Sequence, residues 1–70
     1  MDASLTLTDP ALRLIGLDEV LQRTGLGKTV TYELIAKGQH PPQIKVGRRS
    51  LWAELDIHDF IAELINKGGL

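Results

Sequence analysis

The fold of this chain is decided by residues 18–38, which read DEVLQRTGLGKTVTYELIAKG. Asp18 can cap a helix over 18–24, and Gly25 suits the left-handed residue that ends such a helix. Gly27 can cap a second helix over 28–37, and Gly38 ends it. The inward stripe of this second helix consists of Thr31, Leu34 and Ile35. Two short helices joined by a three-residue turn with glycine are typical of the helix-turn-helix motif.

The flanking segments predict a small sheet and a closing helix. The alternation of residues 12–15 predicts a short strand. After Pro41-Pro42, which exclude helix, residues 43–46 and 50–52 predict the strands of a hairpin whose turn lies at 47–49. A last helix is predicted over 54–67, ended by Gly68-Gly69. Its apolar stripe consists of Ile57, Phe60, Ile61, Leu64 and Ile65.

The order of these elements predicts a mainly α fold with a small β-hairpin, namely a winged helix-turn-helix in which the hairpin is the wing. We expect a flexible N-terminal arm at 1–11, the domain at 12–67 and a short tail at 68–70. Trp52 and Phe60 are predicted core residues, whereas His40 and His58 are predicted to be solvated. A solvated acidic face is predicted for Glu54, Asp56, Asp59 and Glu63.

The amino-acid composition and the charge distribution limit the classes of function that this chain can have. The 70 residues include no cysteine, which excludes disulfides and thiolate zinc sites, and two histidines make a poor metal site. The sequence shows neither an apolar run of membrane-spanning length nor a secretory signal, so we expect a cytoplasmic protein without membrane association. The net charge is −1, yet residues 23–52 carry a net +5 and the remainder a net −6. A basic segment of this kind can attract phosphate.

Enzymatic chemistry finds little support in the sequence, because no acid–base or nucleophile constellation stands out. Gly27-Lys28-Thr29 is similar to the end of a phosphate-binding loop, but that motif needs a glycine at position 22, where this chain has Gln22. It also needs a preceding strand, and a helix is predicted there. We therefore predict that the protein is not an enzyme and uses no cofactor or metal.

Three stretches of the chain stand out together, LIGLDEV at 14–20, TGLGKTVTYELIAKG at 24–38 and PQIKVGRRSLW at 42–52. In this order and spacing they resemble the AlpA family of phage-type transcriptional regulators, which is related to excisionases and to the winged domain of MerR regulators. The tail ELDIHDFI at 54–61 also fits the closing helix of the family. The resemblance implies DNA binding, with the second helix in the major groove and the wing on the backbone or minor groove. It also implies either transcription control or direction of site-specific recombination.

By position, the resemblance assigns the DNA-contacting residues of the second helix as Lys28, Thr29, Tyr32 and Glu33. It assigns those of the wing as Lys45, Arg48, Arg49 and Ser50. Physical chemistry supports these assignments at two places. The first turn of the second helix reaches base edges in this motif, and arginines at a hairpin tip suit phosphate or a narrow minor groove. Glu33 departs from the family, which usually has a basic residue there. The Glu33 carboxylate either accepts a hydrogen bond from cytosine N4, forms an ion pair with Lys37, or leaves the affinity for DNA modest. We favour the ion pair with Lys37.

The predicted partner is double-stranded DNA. One module buries only about 600–1,000 Å² on DNA, so we expect two or more copies on repeated or inverted half-sites. An integrase or RNA polymerase is a further candidate partner. The alternative from another class is a protein-interaction adaptor with a winged fold, which the net charge, Glu33 and the acidic last helix favour.

Overall fold

A computed structural model of the protein describes residues 12–70, which form three helices and a three-stranded antiparallel sheet. The predicted winged helix-turn-helix is confirmed. The expected arm at 1–11 lies outside the described residues, and the boundaries at 12, 67 and 70 stay predictions. In chain order the elements are β1 (Leu14–Gly16), α1 (Leu17–Thr24), α2 (Lys28–Ala36), β2 (Ile44–Val46), β3 (Arg49–Ala53) and α3 (Glu54–Lys67).

The sheet joins the start of the domain to the wing, which is the β2–β3 hairpin. The strand order is β1-β3-β2, with Ile15 opposite Trp52 and Ile44 opposite Leu51. The predicted hairpin is confirmed, but β3 is longer than expected. Arg49 already pairs with Val46, so the turn contains only Gly47-Arg48.

The core lies between the sheet and two helices. Ile15 and Trp52 contact Val20 of α1 and Ile57 of α3, and all four side chains are at most 2% exposed. Trp52 is therefore a core residue, as predicted, and its indole Nε1 donates to Pro41 O at 3.0 Å. Phe60 is also buried, as predicted.

The helix ends follow local sequence, with one correction. The N-cap of α1 is Gly16 rather than Asp18, because β1 keeps the chain extended up to Gly16 and the helix begins directly after it. Asp18 instead lies in the first turn, where a carboxylate interacts favourably with the helix dipole. The helix α3 has the predicted bounds and ends at Gly68.

Three predictions about exposure are wrong. His40 is buried because the loop 38–42 folds over α3, which places its ring centroid 4.6 Å from that of Phe60. Ile65 is 74% exposed, since eight helical residues turn it about 80° away from Ile57. Glu54 does not belong to the solvated face, because it binds two arginines as described below.

Candidate nucleic-acid interface

The turn between α1 and α2 fixes the direction in which α2 leaves the core. Gly25 adopts φ +75°, a conformation that favours glycine, and its N–H donates to Leu21 O at 2.9 Å. At the start of α2, the buried Thr31 donates to Gly27 O twice, through its N–H and through Oγ1, at 2.9 Å each. Both ends of the turn are thus held by internal hydrogen bonds, which gives the first turn of α2 a defined position.

One face of α2 packs inward and the opposite face is open. Thr31 and Leu34 are buried, and Ile35 packs against the core, as the predicted stripe requires. Tyr32, which was assigned to DNA contact, is half-buried, and its ring packs against the core. The predicted contact residues that are exposed on α2 are Lys28, Thr29 and Glu33.

The first turn of α2 also offers groups that the sequence reasoning missed. Val30 is 42% exposed beside Thr29, and an apolar side chain there can contact a thymine methyl group. Its sequence signal is an apolar residue outside the Thr31, Leu34 and Ile35 stripe. Gly27 supplies no side chain to cap the helix, so the first backbone N–H groups remain available to an anion.

The wing separates its polar residues onto two faces. Lys45 lies opposite Ser50, and Lys45 Nζ is 3.4 Å from Ser50 Oγ. Because side chains alternate along a strand, this pair lies on the face that carries Trp52 and the helices, whereas Arg49 lies on the other face beside Val46. Arg48 is at the exposed tip. The structure thus brings Lys45 and Ser50 together on the helix-bearing side and does not group Arg49 with them.

The tip has the geometry that a two-residue hairpin turn requires. Gly47 has φ +62°, and it is the first of the two residues between the paired Val46 and Arg49. A glycine with positive φ at the first central position is typical of a type II′ turn, whose twist matches the strands. The chain therefore presents Arg48 on a short and well-defined loop.

Arg23 contributes to the basic segment of the sequence but not to its open cationic surface. Its guanidinium lies 2.6 Å from Glu54 Oε2 and 2.5 Å from Glu19 Oε2, and Arg13 lies 3.3 Å from the same Glu54 oxygen. The carboxylates of Glu54 and Glu19 raise the pKa of the Arg23 guanidinium above its usual value. This cluster joins α1 and α3 to the residue that precedes β1, and it removes Arg23 from the groups that can bind phosphate.

The other cations of the basic segment form no ion pair with any residue of the range 12–70. Within residues 12–70, the ion pairs at i,i+4 spacing are Arg23–Glu19 and Lys67–Glu63, so the expected pair between Glu33 and Lys37 is not formed. None of the ion pairs in this part of the chain involves Lys28, Lys37, Lys45, Arg48 or Arg49. Positive charge is therefore available at the start of α2 and along the wing.

Comparison with known proteins agrees with this architecture. A family model described as prophage CP4-57 regulatory protein (AlpA) matches residues 13–65. The chain belongs to the AlpA family of prophage regulatory proteins. The match extends from β1 through both helices and the wing into α3, so the AlpA resemblance noted in the sequence is confirmed.

The AlpA-family chain is also similar to an uncharacterized protein, ORF88, of Enterobacteria phage P4. The two are 33% identical over 51 residues, which cover 71% of this chain and 58% of the phage protein. The chain thus matches little more than half the length of that curated relative. No solved structure is similar enough to this chain to count as a match.

Three other features of the described part of this AlpA-family domain concern metal binding, membrane insertion and grooves. Residues 12–70 contain no group of three or more side chains suited to hold a metal ion, and His58 is exposed as predicted. Over the same residues, the helices are too short or too polar to cross a bilayer. An open groove of about 530 Å³ between the loop 38–42 and α3 is lined by Phe60 and Leu64, by the carboxylates of Asp56, Asp59 and Glu63, and by Lys67.

Proposed function

We propose that this protein is a sequence-specific DNA-binding regulator that acts without a cofactor and is not an enzyme. Its α2 helix enters the major groove with the first turn, and its wing contacts the DNA backbone. The observation that carries this proposal is the open first turn of α2, where Lys28 and Thr29 are exposed on a helix whose opposite face is buried. That turn is the part of a recognition helix that reaches base edges.

The side chains divide by chemistry into groups that read bases and groups that bind phosphate. Thr29 and Lys28 face base edges, and Val30 adds an apolar contact beside them. Lys45 and Arg48 neutralise phosphate, which Ser50 can also bind through its hydroxyl. Tyr32 and Arg49 have secondary roles: Tyr32 is partly held in the core, and Arg49 reaches DNA only from the outer face of the wing.

We include Glu33 in the proposed interface because Lys37 does not form an ion pair with it. An unpaired carboxylate near DNA repels phosphate unless it accepts a hydrogen bond from cytosine N4. We assign Glu33 to base recognition. Its removal then lowers binding to the specific site and raises binding to unrelated DNA.

The biological role we propose is control of prophage genes, either at a promoter or by directing excision. Both roles use the same surface, with RNA polymerase as the partner in the first and an integrase in the second. A reporter fused to the binding site and an excision assay with the neighbouring integrase distinguish them. Loss of activity in only one assay on Thr29→Ala substitution identifies the role.

The interface is tested by a competition titration with a duplex selected from a random library by this protein and with a scrambled duplex. Thr29→Ala and Lys28→Ala are expected to cost about 1–3 kcal/mol at the selected site and much less on scrambled DNA. His58→Ala, which changes an exposed residue of α3, is the control and is expected to bind as the wild type does. If Thr29→Ala, Lys28→Ala and Glu33→Ala all bind both duplexes as the wild type does, α2 is not the recognition element.

The adaptor function remains a second candidate, because the groove beside α3 is lined by the apolar side chains of Phe60 and Leu64 and by three carboxylates against one cation, Lys67. Such a groove suits a basic protein segment. The salt dependence of binding separates the two functions: DNA affinity falls steeply as salt rises. An adaptor shifts no DNA fragment at any salt concentration.

A further inference from the structure

The groove between the loop 38–42 and α3 combines an apolar lining with negative charge. Its lining on α3 includes Asp56, Asp59, Phe60, Glu63 and Leu64. These residues recur at spacings of three and four, so they form one stripe of α3 that is about 12 Å long. The stripe therefore presents carboxylates beside an apolar surface.

The opposite wall of the groove is held in place by hydrogen bonds. The N–H of Gln39 donates to Leu34 O at 2.8 Å, which ties the loop to α2. The indole of the buried Trp52 donates to Pro41 O at 3.0 Å, which ties the loop to the core. The groove is thus formed in the free chain, and a ligand does not have to order the loop when it binds.

His40 adds a buried hydrogen-bond acceptor to the same groove. Its ring is 4% exposed and lies against Phe60. The Nδ1 atom lies 2.8 Å from Pro41 O, which can only accept, so in the neutral ring Nδ1 carries the proton and Nε2 is an acceptor. Among residues 12–70 no donor reaches Nε2. A buried acceptor without a donor is unfavourable, which favours a ligand that brings donors into the groove.

We propose that this groove binds a basic segment of a partner protein at a site separate from the DNA-contacting surface. Cationic side chains of the segment pair with the carboxylates of α3, and an apolar side chain of the segment lies against Phe60 and Leu64. A donor of the segment enters between the loop and α3 and binds His40 Nε2. One chain then holds DNA and a protein at once, whereas the adaptor considered above holds a protein alone.

Charge favours a basic protein segment over nucleic acid as the occupant of the groove. The lining holds three carboxylates against one cation, Lys67, whose Nζ lies 3.4 Å from Glu63 Oε1. This net negative charge repels phosphate and attracts lysine and arginine. Lys28 lies at the far end of α2 from the loop, about 13 Å away along this nine-residue helix. A segment in the groove therefore leaves the first turn of α2 open.

The first experiment measures the binding of three short fluorescent peptides to the whole chain by anisotropy, without DNA. One peptide consists of arginine and leucine, one of arginine and serine, and one of glutamate and leucine. The arginine–leucine peptide is expected to bind several-fold more tightly than the arginine–serine peptide, because it also fits the apolar lining. The glutamate–leucine peptide is expected not to bind. If the arginine–leucine peptide binds no more tightly than either of the others, the proposed site is overturned.

The second experiment locates the peptide with variants that each remove one charge from an exposed side chain. Asp59→Asn is expected to weaken the arginine–leucine peptide by about 2- to 5-fold, the effect of one exposed ion pair. Lys67→Gln is expected to strengthen it, because the one cation of the lining is removed. Asp18→Asn, in the first turn of α1, is the control and is expected to bind as the wild type does. Equal affinities of Asp59→Asn and Asp18→Asn mean that only the net charge matters, which overturns the groove.

The ring nitrogens of His40, followed by nuclear magnetic resonance, report on the hydrogen bond proposed for Nε2. The Nε2 resonance is expected to shift when the arginine–leucine peptide binds to the wild type. An unchanged resonance in the peptide-saturated protein overturns the role of His40. Glutamate–leucine peptide at the same concentration is the control, and it is expected to leave the resonance where it is.

Separate titrations with peptide and with the library-selected duplex distinguish this site from the proposed DNA-binding function. Asp59→Asn is expected to bind the duplex as the wild type does, and Thr29→Ala is expected to bind the peptide as the wild type does. If Thr29→Ala weakens the peptide as much as Asp59→Asn does, the two sites are one and the separate site is overturned. A wild type that binds the peptide but no duplex retains the groove and loses the proposed function. Binding of the duplex alone has the opposite meaning.

Discussion

Substitution of Trp52 by phenylalanine is expected to remove much of the stability of this domain. The indole is fully buried and donates to Pro41 O at 3.0 Å, and His40 Nδ1 lies 2.8 Å from the same oxygen. Since His40 can still donate, loss of the indole hydrogen bond costs about 1 kcal/mol. The smaller ring leaves about 40 Å³ unfilled, which costs about 1 kcal/mol more. With the lost apolar burial, the free energy of unfolding falls by about 2–3 kcal/mol.

A loss of this size is large for a 70-residue domain, whose total stability is of the order of 4–10 kcal/mol. The measurement is urea unfolding followed by far-UV circular dichroism, because Trp52 is the only tryptophan and its fluorescence is lost with it. Tyr32→Phe is the control, because it removes the hydroxyl group from a half-buried ring that is not hydrogen-bonded to Pro41 O. This substitution is expected to change the free energy of unfolding by less than about 0.5 kcal/mol. A decrease below about 1 kcal/mol in Trp52→Phe refutes the role assigned to the indole.

Three further perturbations test other parts of the structure. Arg48→Ala combined with Arg49→Ala is expected to weaken binding to unrelated duplexes and to reduce the salt slope by up to about 2, with the melting temperature unchanged; wild-type affinity contradicts the wing assignment. Phe60→Ala is expected to cost about 3–5 kcal/mol in urea unfolding, and a melting temperature within a few degrees of the wild type shows that α3 does not pack as described. Glu54→Gln is expected to lower the melting temperature at low salt and to differ less from the wild type at high salt, because it weakens the partly exposed pairs with Arg23 and Arg13; a salt-independent difference contradicts an ionic origin.

The elements that the sequence predicts correctly are those set by local interactions. Glycines at 25 and 47 identify the interhelical turn and the hairpin tip because their positive φ values are costly for other residues. The stripes of α2 and α3 predict Thr31, Leu34 and Phe60 as buried, since helical periodicity places them on one face. The helix-turn-helix and the wing were therefore predictable without any long-range information.

The wrong predictions for His40 and Glu54 depend on contacts between residues distant in sequence. His40 is buried because Trp52 binds the carbonyl of the next residue, which no local pattern shows. Glu54 lies among acidic residues in the sequence, yet its neighbours in space are Arg13 and Arg23. For the candidate site, exposure of Lys28 and the wing cations followed from the pattern. The separation of Arg49 from Ser50 required the register of β2 against β3.

The charges of this chain show why net charge is a poor guide to the DNA-binding surface that we propose. The negative total arises partly from Glu19 and Glu54, which bind Arg23 and so stabilise the packing of α1 against α3. Other carboxylates lie along the groove between α3 and the loop 38–42. That loop follows the C-terminal end of α2, whereas Lys28 lies at the N-terminal end. Phosphate interacts with the local field within about one Debye length, about 10 Å at 0.1 M salt, and not with the total. In the function that we propose, the cations at the start of α2 and on the wing, which form no ion pair within residues 12–70, therefore determine the attraction to DNA, although the whole chain carries −1.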